Sequence, residues 1–124
     1  LPRGFISRKV RGVEEEAVGV LVVDLEGRII EHNEEFLRLW RIPAEYIDTS
    51  DNSRLISLVL EQLTDPGTFL RVARENQGDP VREYFCLLRF KDGRVIERFS
   101  RPYVRDQGVC GRVLHFRDVT SLRW

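Results

Sequence analysis

Residues 82–119 read "REYFCLLRFKDGRVIERFSRPYVRDQGVCGRVLHFRDV". Three runs rich in β-branched and aromatic residues, 82–90, 95–104 and 109–119, are separated by KDGR and RDQG. Asp-Gly between apolar runs is a strong hairpin signal, and a Gly-containing turn makes a second one. Three antiparallel strands are expected here. Upstream, residues 18–33 read "VGVLVVDLEGRIIEHN", two Val/Ile/Leu runs around a turn at Asp24 to Gly27. That is a second hairpin.

The residues between the hairpins read as helices. Asn33 is placed to cap "EEFLRLW", whose two glutamates suit the positive end of the helix dipole. Pro43 starts a further turn. In "DNSRLISLVLEQL" an apolar stripe of Leu55, Ile56, Val59, Leu60 and Leu63 marks a helix. Thr64 or Asp65 caps the next one, with Pro66 just inside it. Phe69, Leu70, Val72 and Ala73 are expected on its buried face. "SRKVRGVEEEAV" predicts an amphipathic helix at the start of the chain, capped by Ser7 and carrying Val10, Val13 and Ala17 on one side. Two strands, several short helices and three strands make an α+β domain: an antiparallel sheet with helices gathered on one face.

Composition narrows the function. The chain has 124 residues, 42% hydrophobic and 32% charged, the profile of one globular domain. Its 20 basic and 20 acidic residues cancel, so no net field draws it to nucleic acid or an anionic membrane. No apolar run approaches the roughly 20 residues that span a bilayer. Cys86 and Cys110 are too few for a disulfide framework and lack metal-ligand spacing, which favours a reducing, cytoplasmic setting. No nucleophile elbow, Walker, zincin or Gly-rich phosphate motif occurs, and the calcium-loop spacing is absent. The chain opens without Met and stops at Trp124 as a new segment begins, so a piece of a longer protein is expected.

"GVLVVDLEGRIIEHNEEFLRLW", "RFKDGRVIERFSRP" and "GRVLHFRDVT" together resemble the PAS domain, a bacterial sensory module. The resemblance runs from Val18 to Thr120. It implies a five-stranded antiparallel sheet of order 2-1-5-4-3 with helices enclosing a small cavity. It divides the chain into an N-terminal cap helix (1–17), the PAS domain (18–120) and the start of an exit helix (121–124). It also implies that Asp118, Val119 and Thr120 close the last strand and lead to an effector domain in the same polypeptide, passing a signal outward. The simpler reading of Asp118 to Thr120 is a surface turn. The host expected is a sensor histidine kinase, with a diguanylate cyclase as the alternative. The domain itself is expected not to be an enzyme. A small α+β enzyme or carrier with a cavity, and a scaffold with a collapsed core, are the readings of other classes.

The resemblance also implies a strand register, and with it the cavity face. Its expected lining is Leu21, Val23, Phe36, Trp40, Ile56, Leu60 and Phe69 from the first half of the chain. Leu88, Ile96, Arg98, Ser100, Leu114 and Phe116 are expected from the second, and Arg112 also points inward. Val95, Glu97, Phe99 and His115 then face away. Val95, Phe99 and Val113 are expected to meet the cap helix through Val10, Val13 and Ala17, within a homodimer. Haem and flavin are not expected. The helix before the third strand, "TFLRVARENQ", has no His, and neither Cys lies in a flavin-adduct motif on a helix. His32 reads as a packed or solvated corner residue. An unidentified small molecule remains open. Arg98 is the sharpest lead, because a guanidinium in an apolar cavity is costly unless paired. It forms an internal salt bridge to Glu31 or Asp24, snorkels to the rim, or anchors an anionic ligand.

Overall fold

The computed structural model describes residues 18–47, 53–106 and 108–122. The expected N-terminal helix, with Val10, Val13 and Ala17, lies outside them. The elements run β1 (Gly19–Asp24), β2 (Ile29–His32), α1 (Glu34–Trp40), α2 (Ser53–Glu61), α3 (Pro66–Gly78), β3 (Tyr84–Arg89), β4 (Val95–Arg105) and β5 (Gly108–Asp118). Short 3-10 turns occupy Ala44–Tyr46 and Thr120–Leu122. The five strands form one antiparallel sheet in the order β2-β1-β5-β4-β3.

The turns are where the sequence places them. Gly27 and Gly93 sit at φ 88° and 98° in the two tight turns, a region that glycine enters without the Cβ penalty. Asn33 caps α1 by accepting the Phe36 N–H at 3.0 Å. The same Oδ1 accepts the Val20 N–H at 2.9 Å, and Nδ2 donates to the Val18 carbonyl at 2.9 Å. One side chain thus starts the helix and ties it to β1. Asp65 is the cap of α3, accepting the Thr68 N–H at 3.1 Å and the Thr68 hydroxyl at 2.7 Å. On α3 the expected buried face is corrected at one position: Leu70 is exposed, whereas Asn76 is buried.

The helical side of the sheet holds the main core. Phe36, Leu39, Trp40, Ile42, Leu55, Leu63, Leu88, Phe90, Ile96 and Phe116 pack together there. The Trp40 ring centroid lies 4.9 Å from that of Phe90 and 5.6 Å, edge-on, from that of Phe116. Such tilted geometries suit the aromatic quadrupole. The opposite face carries a smaller cluster of Val20, Val22, Tyr103 and Val113. Val95 is buried and Phe99 half-buried, while Phe85 and Leu87 on β3 stand exposed. Strand alternation fixes the split: Phe85 pairs with Phe99, and Phe99 with His115, all facing away from the helices. Among the described residues no helix is long and apolar enough to cross a membrane.

Candidate functional site

The main core does not fill the space beneath the helices. A cavity of about 250 Å³ remains between α1, α2 and α3 and the inner face of β1, β4 and β5. Leu21 and Val23 floor it from β1, and Leu114 and Phe116 from β5. Phe36 and Trp40 of α1, Ile56 of α2 and Phe69 of α3 wall it. Leu25 and Ile56 are exposed large apolar residues, and they mark the side open to solvent.

Four residues expected in the lining stand outside it, and this corrects the sequence reading. Leu88 and Ile96 are cross-strand partners on the cavity face, but they lie where β4 begins. There they are packed into the aromatic core around Trp40 and Phe90. Ser100 is wholly buried and receives the Arg112 Nε–H at 2.7 Å, so the guanidinium covers it. Leu60 is half-buried on α2, which presents Leu55, Ile56 and Val59 to the cavity instead. The sequence reading also passed over Asn76. It falls at helical spacing after Phe69 and Ala73 on the same face of α3, so periodicity alone places it there.

Two arginines enter the cavity wall, and they are in opposite states. Arg112, 5% exposed, is satisfied throughout. Besides Ser100 it donates to the Pro80 carbonyl at 2.8 Å, the Asp79 carbonyl at 3.3 Å and the Arg82 carbonyl. It fastens the segment between α3 and β3 to the sheet. Arg98 is 2% exposed, its Nη2 has no hydrogen-bond partner, and its guanidinium carbon sits 5.0 Å from the Phe69 ring centre. Neither carboxylate expected to pair with it does so. Glu31 is exposed on β2, and Asp24 accepts Arg28 Nε–H at 3.0 Å together with the Glu26 and Arg28 backbone N–H groups. Nor does Arg98 snorkel to the rim, since it is buried. Burial pulls its pKa below the ordinary value, with the Cys86 side chain opposing. A guanidinium stays charged in proteins regardless. Asn76 Oδ1 and Trp40 Nε1 are likewise buried without partners.

A second site lies at the end of β5. Asp118 Oδ1 accepts the Thr120 N–H at 2.9 Å and the Thr120 hydroxyl at 2.5 Å. The Thr120 Oγ1 accepts the Val95 N–H at 2.9 Å, and the Val119 N–H donates to the Val95 carbonyl at 2.9 Å. Asp118, Val119 and Thr120 therefore clasp the exit of β5 to the first residue of β4.

Similar solved structures carry this architecture. The PAS domain of a protein from Colwellia psychrerythraea matches with a TM-score of 0.55 at 23% identity, over 84% of this chain and 87% of that one. The fold is that of a PAS domain. The sensor region of a sensor histidine kinase shares this PAS fold, with a TM-score of 0.61 at 15% identity over 84% of this chain. This chain spans 40% of that one. A domain of the protein described as a light and redox sensing histidine kinase from Haloarcula marismortui matches at 0.60 and 13% identity, over 86% of this chain and 92% of that one. No family model matches the chain, and no curated protein matches it in sequence.

Proposed function

We propose that this PAS-fold domain is a sensory module of a larger signalling protein, in which a small molecule held in the cavity alters the packing of β5 and so the segment that follows Asp118. The observation that carries the reading is the partly open, largely apolar cavity with buried, unpartnered polar groups in its wall. Cavities of that kind bind small molecules. The effector we infer is a histidine kinase in the same polypeptide. That choice rests on the kinases among the similar structures. The domain itself is read as a non-enzyme, because the described residues of the cavity lining include no His, Cys, Ser, Thr or Lys to act as nucleophile or base, and the carboxylate there, Asp24, is held by Arg28. For the same reason the described lining supplies neither an axial ligand for haem nor an adduct thiol for flavin. A cytoplasmic setting fits Cys86 and Cys110, which are free. The dimer expected from the sequence would form on the face opposite the cavity, where Phe85 and Leu87 are exposed.

Filling the cavity tests the sensory reading. Ala73 lines it from α3. In the longer protein, Ala73→Phe should occupy the ligand's space and drive effector output to one fixed level. Autophosphorylation measured on wild type and variant checks this. An output that keeps its full stimulus response in the folded variant sinks the reading.

A further inference from the structure

Arg98 is a buried positive charge that no carboxylate among the described residues pairs with. Arg112 shows what satisfaction looks like in the same wall: a hydroxyl and three backbone carbonyls around one guanidinium. Arg98 has the Phe69 ring face and the cross-strand Cys86, and its Nη2 is unpartnered. Among the described residues the one carboxylate in the lining, Asp24, is held by Arg28 at the turn. A buried charge without a partner is strongly disfavoured, so an arrangement that keeps one invites an external counter-charge. The rest of the wall describes that partner. Phe36, Trp40, Phe69 and Phe116 offer ring surfaces. Asn76 Oδ1 and Trp40 Nε1 leave one acceptor and one donor unmet. The volume, about 250 Å³, is smaller than the roughly 300–1,000 Å³ of clefts that take drug-sized molecules.

We propose that the cavity binds a small monocarboxylate with a one-ring or short-chain apolar body, its carboxylate held by Arg98 and its body stacked among the aromatic rings. The planar guanidinium fork matches the geometry of a carboxylate, and charge-assisted hydrogen bonds are the strong ones. This rests on the reading of the cavity as a ligand site, and it adds which chemistry the site accepts. Asn76 then receives any second polar atom, such as a ring hydroxyl.

The test pairs each acid with its neutral isostere. 4-Hydroxybenzoate, phenylacetate and hexanoate, and the primary amide of each, are titrated at neutral pH by calorimetry against wild type and Arg98→Met. Met is unbranched and of similar reach, so the variant should fold, and a thermal melt checks that it does. At least one acid should bind wild type ten times more tightly than its amide, and Arg98→Met should lose that preference. If amides bind as tightly as acids, or if Arg98→Met keeps the preference, the carboxylate assignment falls while the ligand cavity stands. If none of the six binds wild type, the cavity reading falls and takes the assignment with it.

Discussion

At the scale of single residues, Arg98 and Arg112 predict opposite responses to the same substitution. Without ligand, Arg98 contributes a desolvated charge with no carboxylate partner among the described residues, and an apolar side chain of similar reach removes that penalty. Arg98→Met should therefore melt at or above the wild-type temperature. Arg112→Met strands the Ser100 hydroxyl and the carbonyls of Asp79, Pro80 and Arg82. A loss of roughly 1–3 kcal/mol follows. Two thermal melts decide it, and a destabilised Arg98→Met would mean that its charge is compensated in the folded chain. His115 gives a pH dependence. It is half-buried on the far face of the sheet, and burial first, then the nearby Arg101, lowers its pKa from 6.5 to about 4. Between those values the unfolded chain binds a proton that the folded chain refuses. This contribution to stability is complete above about pH 6.5 and is lost as the pH falls toward 4. The carboxyls of Asp24, Asp65 and Asp92 are held below their ordinary 3.8, so their contributions vanish only at lower pH. Urea midpoints should decline from pH 6.5 to pH 4, and His115→Leu should flatten that decline. An unchanged slope in the variant would show that another group titrates there.

At the scale of elements, close backbone approaches hold the sheet's centre. A Cβ on Gly111 would lie 2.0 Å from the Val23 carbonyl oxygen of β1, a neighbour that is backbone and has no rotamer to change. Gly111→Ala should push β1 and β5 apart locally, at a cost of roughly 1–3 kcal/mol. A denaturation midpoint equal to wild type would show that the strands separate without loss. This approach was not legible beforehand, because a glycine inside a strand run marks close contact or a bulge without saying which. Other local devices were legible. Asn33 was expected as one cap and Thr64 or Asp65 as the other, and the Gly27 and Gly93 turns as hairpins, since each depends on a few neighbouring residues. The cavity lining was legible only in part. The register implied by the PAS resemblance tells which face a residue joins, so Arg98, Leu114 and Phe116 could be placed from it. It does not tell where along the strand tight packing gives way to open space. Leu88 and Ile96 share the cavity face yet are core, because Trp40 and Phe90 close over that end. Asn76 was passed over because its helix was read by apolar residues alone.

At the scale of the whole molecule, β5 joins the cavity to the exit. It is central in the sheet, bonded to β1 and β4, and its inner face carries Leu114 and Phe116 in the cavity. Two residues after Phe116, Asp118 begins the clasp on Val95. A ligand that shifts Phe116 therefore acts two residues from the point where the chain leaves the sheet. Asp118→Ala removes both bonds that Asp118 accepts from Thr120 and leaves the Thr120 hydroxyl held only from the Val95 side. The loss should resemble that of a helix cap, roughly 0.5–2 kcal/mol. Against a typical stability of roughly 5–15 kcal/mol the domain stays folded. Against a signalling bias the same loss is large, since roughly 1.4 kcal/mol is a tenfold change in a two-state ratio. In the longer signalling protein proposed above, Asp118→Ala should keep its affinity for cavity ligands while its effector output stops responding to them. Amide exchange should quicken from Val119 onward and stay unchanged in β1. Thr120→Val loses the hydroxyl's bonds to Asp118 and to the Val95 N–H, as many as Asp118→Ala removes, and should uncouple the effector in the same way. Wild-type control of the effector in Asp118→Ala, with the clasp opened by the exchange measurement, would mean that the signal leaves the domain by another route.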